Sequence, residues 1–235
     1  MHETSSFLTL TYAEDNLPEG QNIQHTDVQK FLKRLRKNTG AELRYYMVGE
    51  YGTDNGRPHY HMCLYGMDFR NDRKEKGKSR TGHIYYTSTT LEKTWSYGLV
   101  SIQDLTKETA AYCARYLIDA RNGEAASSDL VLPDGTRSAR QPEYSAMSKG
   151  IGRTWFEKYK TDIFPHDYIV RGRTKTQVPK YYDKLAKKDP TIDIDTIQFN
   201  RELRAKKTAA DNTDERRQVK ATVALARLNR NRTPT

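Results

Sequence analysis

A short run of residues between Arg57 and Tyr65 constrains the fold of this chain more than any other segment. The run is apolar and aromatic and follows a Gly-Arg-Pro turn, a pattern that predicts a β-strand. Because side chains alternate between the two faces of a strand, His59 and His61 point to the same face. Two imidazoles on one face can begin a divalent metal site. The alternative is a pair of hydrogen-bonded histidines on a half-buried strand.

The segments around this strand predict an α+β fold. The predicted elements, in chain order, are a strand at Ser6–Tyr12, a helix at Thr26–Lys37, strands at Leu43–Gly49 and His59–Tyr65, a short helix at Thr89–Tyr97, a strand at Leu99–Leu105 and a helix from Thr106 to Ala120. The second and third strands are predicted to form a hairpin. The β-α-β-β-α-β-α order is that of a ferredoxin-like, split-βαβ domain, an antiparallel sheet with helices on one face.

Local features of the chain carry further predictions. In the first helix, Thr26 is the predicted N-cap. Four residues at helical spacing form the predicted apolar face of that helix: Val28, Phe31, Leu32 and Leu35. The charged segment Asp68–Arg80 is predicted to be a loop, and a region rich in Gly, Ser and Arg at about 121–145 an irregular insertion. Residues 1–185 are predicted to form the main domain, and residues 186–235 a basic, mostly helical C-terminal extension.

The charge of the chain points to a polyanionic partner. The formal net charge is +10 and the pI is about 9.4, which favours nucleic acid over a membrane. Residues 201–235 contain ten basic and four acidic side chains, so the basic signal belongs partly to this tail. Two cysteines are too few for a disulfide framework and fit a reducing cytosol. The chain has no N-terminal signal pattern and no apolar run near the ~20 residues that span a bilayer, so a soluble cytoplasmic protein is expected.

A carboxylate adjoins the two histidines in the predicted hairpin. Glu50 ends the neighbouring strand, where it could complete a His₂Glu set with His59 and His61. Such a set suits Mg²⁺ or Mn²⁺ and leaves open positions for water and a phosphate oxygen. Two alternatives stay open at this stage: Glu50 is a solvent-exposed acid at a strand end, or Cys63 replaces it in a zinc site with the two histidines.

Two tyrosines on the last predicted helix are candidate nucleophiles. Tyr112 and Tyr116 are four residues apart and therefore neighbours on one helix face. They lie nearly opposite the apolar stripe of that helix, which is formed by Ala110, Cys113, Ala114 and Leu117. A tyrosine hydroxyl can attack phosphorus and form a covalent phosphotyrosine. The alternative is a pair of surface or interface tyrosines without catalytic function.

A single-stranded DNA substrate would require cationic and stacking side chains near such a site. The candidates for DNA binding are Arg44, Tyr46, Arg57 and Arg115, together with the basic tail. None of these is specific by itself.

Four motifs of the chain together resemble the HUH endonuclease family. In order, they are Phe7–Tyr12, Gly49–Gly52, Arg57–His61 and Tyr112–Tyr116. More closely, the chain resembles the replication initiators of small single-stranded DNA phages of the Microviridae, gokushovirus type. Two later segments are also similar to that family, namely Gly150–Arg153 with Trp155 and Pro179–Asp183.

The resemblance implies an enzyme of rolling-circle replication that nicks one strand at a phage origin and stays linked to the 5′-phosphate. His59, His61 and Glu50 would be the ligands of Mg²⁺ or Mn²⁺, and Tyr112 and Tyr116 would be alternating nucleophiles. Host helicase and polymerase are implied partners, and the cytoplasm of the bacterial host is the implied location.

The chain departs from the family pattern at two places. Family members often carry Lys at the position of Asp119, which puts a cationic role there in doubt. They also often carry a cysteine-containing segment ahead of the first strand, whereas this sequence starts almost at that strand and is expected to be a shortened form.

Three other functional classes are consistent with parts of the sequence. A ferredoxin-like module that binds nucleic acid without catalysis would need neither metal nor covalent adduct. A transposase or plasmid relaxase of the HUH class would share the chemistry. A two-histidine phosphoesterase would need a second histidine motif, which His25, His83 and His166 do not supply.

Overall fold

The computed structural model of the chain describes residues 2–52, 56–79, 82–122, 130–131, 135 and 137–230, except the side chains of 116–122, 130–131, 138 and 228–230. It divides into two compact units, Met1–Ile151 and Gly152–Thr235. The sequence places the end of the main domain at residue 185 instead, and that domain assignment stays a prediction.

The first unit is built on an antiparallel sheet with three helices. Its strands are β1 (Ser5–Tyr12), β2 (Arg44–Tyr51), β3 (Pro58–Tyr65), β4 (Arg73–Lys78), β5 (Ile84–Ser88), β6 (Gly98–Gln103), β7 (Leu130–Val131), β8 (Arg137–Ser138) and β9 (Tyr144–Met147). Its helices are α1 (His25–Thr39), α2 (Thr89–Trp95) and α3 (Lys107–Asn122). Within the described residues, seven strands form one sheet in the order β4-β5-β6-β1-β3-β2-β9. The central order β6-β1-β3-β2 is that of a ferredoxin-like domain, which confirms the predicted α+β class.

The two faces of the sheet are covered by different helices. Tyr60 and Met62 of β3 point into the main core, where α1 and α2 pack on the sheet. The alternate residue Cys63 points to the other face and packs with Cys113 of α3. The prediction that the helices share one face is therefore wrong for α3. This difference matters because α3 covers the same face as His59 and His61.

The first helix is predicted correctly in its packing but not in its start. Its four predicted apolar residues are all buried in the main core, where Phe31 and Leu35 have no exposed surface. The helix begins at His25 rather than after Thr26, and Gln24 occupies the N-cap position without a capping hydrogen bond from its described side chain. The apolar spacing therefore determined the helix, whereas the capping prediction was wrong.

The charged segment predicted as a loop contains an edge strand. Arg73–Lys78 forms β4 and pairs antiparallel with β5, with an irregularity between Glu75 and Gly77. Edge strands are commonly charged because both the strand edge and one face meet water. The charge that suggested a loop is thus compatible with a strand, and only the partner strand reveals the difference.

The predicted insertion at about 121–145 lies largely outside the described residues. Its described parts include the two-stranded pair β7–β8 and the start of β9. β9 pairs with β2 and extends the main sheet at that edge.

The second unit has its own apolar core and is mainly helical. Its elements are α4 (Arg153–Ile163), β10 (Ile169–Arg171), β11 (Thr174–Thr176), α5 (Lys180–Ala186), α6 (Ile194–Lys207) and α7 (Asp214–Arg230). The core residues include Phe156, Ile163 and Ile197. α6 and α7 confirm the helical character of the C-terminal extension. None of the described helices combines the length and apolarity needed to cross a membrane.

Candidate metal and nucleophile site

Three side chains of the β2–β3 hairpin meet on the face of the sheet that α3 covers. In the antiparallel register, Glu50 lies opposite His59, and Val48 lies opposite His61. Alternation along each strand therefore brings Glu50, His59 and His61 to one face. The prediction of the hairpin and of its shared face follows directly from the sequence periodicity.

The carboxylate of Glu50 lies between the two imidazoles. Its Oε1 atom is 2.7 Å from Nε2 of His59 and 2.9 Å from Nε2 of His61. One ligand atom from each of the three residues lies within 4.8 Å of the other two. The Glu50 side chain is 1% exposed, so Glu50 is not the solvent-exposed strand-end acid of the alternative interpretation.

Hydrogen bonds on the far side of each ring orient the two histidines. Nδ1 of His59 lies 3.1 Å from the carbonyl oxygen of Arg57, and Nδ1 of His61 lies 3.0 Å from Oγ1 of Thr9. These contacts leave both Nε2 atoms directed at Glu50. Fixing one ring nitrogen by a neighbouring group is how proteins usually orient histidine ligands.

The protonation equilibria of the three groups are displaced in different directions. Burial lowers the pKa of His61 below its usual value, although the hydrogen bond to Glu50 opposes this effect. Burial acts on His59 in the same sense, but there the bond to Glu50 outweighs it and the pKa is raised. The two imidazoles in turn hold the pKa of Glu50 below its usual value despite its burial. The carboxylate is therefore ionised at neutral pH, as a metal ligand must be.

The residues present fit a divalent cation. Among the described atoms, Oε2 of Glu50 is buried and has no hydrogen-bond partner, which is costly unless an unseen group satisfies it. Two neutral imidazole nitrogens and a carboxylate are a donor set that first-row divalent metals accept. Cys63, the ligand of the alternative zinc site, instead packs in a small apolar cluster and hydrogen-bonds with Cys113.

The helix α3 brings Tyr112 to the histidines. The helix begins after a reciprocal pair of hydrogen bonds between Thr106 and Thr109. The ring of Tyr112 meets the ring of His61 edge to face, with the centroids 4.9 Å apart. It also contacts Phe7 edge to face at 6.3 Å. Tyr112 is thus half-buried beside the metal-ligand cluster.

The remainder of α3 only partly follows the predicted stripe. Cys113 is fully buried, whereas Ala114, which the stripe also included, is exposed. Tyr116 lies one turn after Tyr112 on the helix backbone. The side chains of Tyr116 and Asp119 are outside the described part of the chain.

The four residues predicted to bind DNA occupy different environments. Arg44 is exposed, and its guanidinium donates to the carbonyl of Lys149. Tyr46 is half-buried against the α3 cluster, and Arg115 is half-buried on α3. Their role in DNA binding stays a prediction.

Arg57 has structural partners that the sequence did not indicate. Its guanidinium donates to the carbonyl of Tyr12 at 2.9 Å and pairs with Glu14. These contacts hold the start of β3 beside the end of β1. A role of Arg57 in DNA binding also stays a prediction.

Sequence reasoning missed two residues that support the site. Thr9 hydrogen-bonds to His61, and its place opposite His61 follows from the pairing of β1 with β3. Glu143 accepts a hydrogen bond from the backbone N–H of Tyr51 at 3.0 Å, and burial raises the pKa of its carboxyl. The alternation of Phe7, Thr9 and Thr11 along β1 was the available signal for Thr9. No signal in the sequence pointed to Glu143.

Comparison with known proteins identifies the family of the chain. Residues 5–121 match the model of the replication-associated protein ORF2 family. The chain belongs to this family of replication-associated proteins. The matched segment runs from β1 almost to the end of α3, so it contains the hairpin ligands and Tyr112.

Three phage proteins are similar to this family member over most of its length. It is 31% identical over 216 residues to the replication-associated protein ORF2 of Spiroplasma virus 4, which covers 86% of this chain and 64% of the relative. It is 30% identical over 210 residues to the replication-associated protein ORF4 of Chlamydia phage 1, with 85% and 50% covered. It is also 30% identical over 200 residues to the replication-associated protein VP4 of Bdellovibrio phage phiMH2K, with 80% and 60% covered.

These matches confirm the resemblance to replication initiators of the Microviridae type that the motifs predicted. The chain spans between half and slightly less than two thirds of the length of these relatives. No solved structure gave a significant match to the chain.

Proposed function

We propose that this family member initiates rolling-circle replication of a phage genome as a metal-dependent single-strand endonuclease and strand transferase. Its substrate is the origin sequence in single-stranded DNA, and its intermediate is a covalent 5′-phosphotyrosine. The family match and the replication-associated relatives support a role in phage replication. We place the reaction in the cytoplasm of the bacterial host, where host helicase and polymerase act on the nicked strand.

One juxtaposition carries the proposal. The ring of Tyr112 lies 4.9 Å from the ring of His61, whose Nε2 contacts the buried carboxylate of Glu50. A candidate nucleophile on α3 is thereby combined with a candidate metal site on the β2–β3 hairpin. A module that only binds nucleic acid has no need of a buried Glu/His/His group beside a tyrosine.

The three ligand side chains have a defined task in this proposal. Glu50, His59 and His61 hold Mg²⁺ or Mn²⁺, whose charge polarises the scissile phosphate and offsets the negative charge that develops on it. Thr9 and the carbonyl of Arg57 keep the two imidazoles directed at this position. Preorganised ligands of this kind need no rearrangement when the substrate binds.

The nucleophile is assigned to Tyr112. Its hydroxyl oxygen forms a bond with phosphorus while the bond from phosphorus to the 3′ oxygen of the preceding nucleotide breaks. The phenolic proton is lost, and the departing 3′ oxygen takes up a proton to become a hydroxyl. The phosphate remains on the 5′ side of the following nucleotide as a tyrosine ester, so the energy of the broken bond is kept for rejoining.

The second transfer is assigned to Tyr116. The free 3′-hydroxyl from the first cleavage primes synthesis by the host polymerase. After one round, the hydroxyl of Tyr116 attacks the regenerated origin, and the newly released 3′-hydroxyl attacks the ester on Tyr112 to close the circle. Arg44, Tyr46, Arg57 and Arg115 are proposed to contact the DNA strand during these steps.

The test is a search for the covalent adduct. Labelled oligonucleotides that tile the viral strand of the phage genome are incubated with the protein and Mn²⁺ or Mg²⁺ and separated on a denaturing gel. We expect one oligonucleotide to give a protein–DNA band that EDTA abolishes. Tyr112→Phe together with Tyr116→Phe should remove the band while DNA binding persists.

Tyr85→Phe is the matched control, because Tyr85 is a half-buried tyrosine on β5 in another part of the sheet. It should leave the adduct unchanged. Cleaved ends without an adduct would indicate a hydrolytic nuclease instead. Binding without cleavage under all conditions would indicate a non-enzymatic module, and an adduct only on sequences outside the phage origin would favour a transposase or relaxase.

A further inference from the structure

The positive charge of the chain is concentrated in the second compact unit. Residues 1–151 contain twenty Lys and Arg against nineteen Asp and Glu, a net charge of +1. Residues 152–235 contain twenty Lys and Arg against eleven Asp and Glu, a net charge of +9. The unit with the candidate nuclease site is therefore nearly neutral. A polyanionic substrate has most of its electrostatic attraction to the other unit.

Many basic side chains of the second unit are already neutralised by carboxylates. Arg201 and Arg204 pair with Asp167, and Arg201 also pairs with Asp183. The ion pairs of the remaining helices are Arg153–Glu157, Lys160–Asp189, Arg216–Asp211, Arg217–Asp214 and Lys220–Asp211. These groups contribute less to the attraction of a phosphate backbone than unpaired cations do.

The hairpin formed by β10 and β11 is different. Among the described residues, Arg171, Arg173 and Lys175 are exposed and form no ion pair with a carboxylate. From Tyr168 to Tyr182 the chain contains four basic residues and no acidic residue. The hairpin is thus a short segment of dense and uncompensated positive charge.

The hairpin is held in a defined conformation. Arg171 pairs with Thr174 and Ile169 pairs with Thr176 in the antiparallel register, and the turn contains Gly172 at φ +60°. Ile169 packs against the core of the second unit. The outward side carries Val170, which is 59% exposed, beside Lys175, its cross-strand partner.

Aromatic side chains flank the basic hairpin within the same unit. The amino group of Lys175 lies 4.2 Å from the centre of the half-buried ring of Tyr168. Tyr182 stacks on Trp155 with the ring centres 5.5 Å apart and an angle of 13° between the planes. This stack joins the two later sequence motifs of the family, which the nuclease chemistry does not use.

We propose that the β10–β11 hairpin is a DNA-docking surface whose Arg171, Arg173 and Lys175 bind backbone phosphates independently of base sequence. The inference rests on the proposed function in that DNA is the partner. The charge complementarity of three unpaired cations with a phosphate backbone selects this occupant. On this view the near-neutral first unit reads and cuts the origin, and the hairpin supplies a large share of the affinity.

The test measures DNA binding by the full chain without metal. Fluorescence anisotropy with a labelled 30-nucleotide single strand of mixed sequence, in EDTA and at several NaCl concentrations, gives Kd and its salt dependence. The triple variant Arg171→Ala, Arg173→Ala and Lys175→Ala should bind at least tenfold more weakly near 0.15 M salt. Because each phosphate contact on a single strand contributes about 0.7 to the slope of log Kd against log salt, the slope should fall by about 2.

A charge-matched control separates local contact from net charge. Lys30, Lys33 and Lys37 are exposed on α1, on the face of the sheet opposite the candidate site. The triple variant Lys30→Ala, Lys33→Ala and Lys37→Ala should change Kd less than threefold. The variant Arg171→Lys with Arg173→Lys should bind as the wild type does.

A second measurement uses the unaltered protein. Acetylation of lysines, read by mass spectrometry, should be slower at Lys175 when the single strand is bound and unchanged at Lys33. A 30-base-pair duplex in the same assays establishes whether the hairpin also accepts double-stranded DNA.

Equal losses in both triple variants, or full binding by the hairpin variant, would overturn the inference. So would unchanged acetylation of Lys175 in the presence of DNA. Since these measurements need no metal and no cleavage, they remain interpretable if no adduct forms. Conversely, an adduct at saturating DNA with a hairpin that does not bind would refute this proposal and leave the nuclease intact.

Discussion

The carboxylate of Glu50 contacts both imidazoles of the β2–β3 hairpin through a single oxygen, Oε1, at 2.7 Å from His59 and 2.9 Å from His61. Its second oxygen is buried without a partner among the described atoms. This asymmetry fits a group that is complete only when a cation is added. It also identifies Glu50 as the residue whose change should most directly report metal binding.

Glu50→Gln should remove most of the affinity for Mn²⁺. The amide keeps the shape of the side chain but loses the negative charge, and a loss of at least about 100-fold in affinity is expected because even residues outside the ligand shell cost 10–100-fold. Isothermal titration calorimetry measures the affinity. Mn²⁺ should raise the melting temperature of the wild type through its preference for the folded state, and this rise should be absent in the variant.

Glu92→Gln is the control for this change, because Glu92 lies on α2 and contacts Thr87 rather than the histidines. It should leave both the affinity and the metal-dependent melting shift unchanged. Wild-type affinity in Glu50→Gln would exclude the proposed ligand set.

Thr9→Val should weaken metal binding although Thr9 is not a ligand. Valine keeps the volume and the β-branched shape but removes the hydroxyl that lies 3.0 Å from Nδ1 of His61. The His61 ring then loses the contact that fixes its orientation, and a 10–100-fold lower affinity for Mn²⁺ is expected. Thr9→Ser should restore most of the affinity, and calorimetry distinguishes the three proteins.

Thr11→Val provides the matched substitution on the same strand and face. Thr11 lies opposite His59 in the strand register, but its hydroxyl has no hydrogen bond in the described structure. An equal loss of affinity in the Thr11 and Thr9 variants would show that the hydroxyl of Thr9 has no specific role.

The ligand set could be predicted from the sequence because it depends on strand periodicity alone. His59 and His61 share a face by alternation, and Glu50 joins them once β2 and β3 pair with the observed register. The burial of Glu50 could not be predicted, since a residue at a strand end is ordinarily solvated. It is buried because α3 covers this face of the sheet, and that is a tertiary relationship.

The position of Tyr112 shows the same limit. Helical phase placed it away from the apolar stripe, but phase does not specify which face of the sheet the helix will cover. The structure packs α3 on the face opposite α1, where Cys113 meets Cys63 and Tyr112 meets His61. Similarly, β4 was hidden because its charges are typical of both loops and edge strands.

Gly49→Ala should destabilise the first unit through steric overlap. A Cβ at this position would lie 2.9 Å from the ring of Tyr144 and 3.1 Å from the ring of Tyr60. Both rings are tethered, since the hydroxyl of Tyr60 contacts Gln24 and that of Tyr144 contacts His25. Overpacking of this kind costs about 1–3 kcal/mol in the free energy of unfolding, which urea titration measures.

Gly52→Ala tests the same substitution without the overlap. Its Cβ would be 3.7 Å or more from its neighbours, an ordinary contact distance. The change in the free energy of unfolding should stay within about 0.5 kcal/mol. Equal effects at the two glycines would mean that backbone freedom, rather than crowding by the tyrosines, determines the cost.

An ion-pair network in the second unit makes a prediction about acid stability. Asp167 accepts hydrogen bonds from Arg201 at 3.0 Å and pairs with Arg204, while Arg201 also binds Asp183. Burial acts to raise the pKa of Asp167, but the two arginines outweigh it and hold the pKa below its usual value. A carboxyl with a lowered folded-state pKa contributes stability above its unfolded pKa, and loses it as the pH falls through the folded value.

Asp167→Asn should therefore lower stability at neutral pH and have little effect in acid. Asparagine suits the left-handed backbone at this position (φ +62°) and retains the shape, so the lost charge dominates. At pH 7 we expect a loss of about 1–3 kcal/mol in the free energy of unfolding, the usual value for hydrogen bonds to charged groups. The difference should shrink as the pH falls below about 4. Urea unfolding in a Trp95→Phe background, followed by the fluorescence of Trp155, reports this unit alone, and Asp211→Asn, which alters an exposed ion pair, should change stability by no more than about 1 kcal/mol. A constant deficit from pH 7 to pH 2.5 would mean that the carboxylate charge of Asp167 is not what stabilises the network.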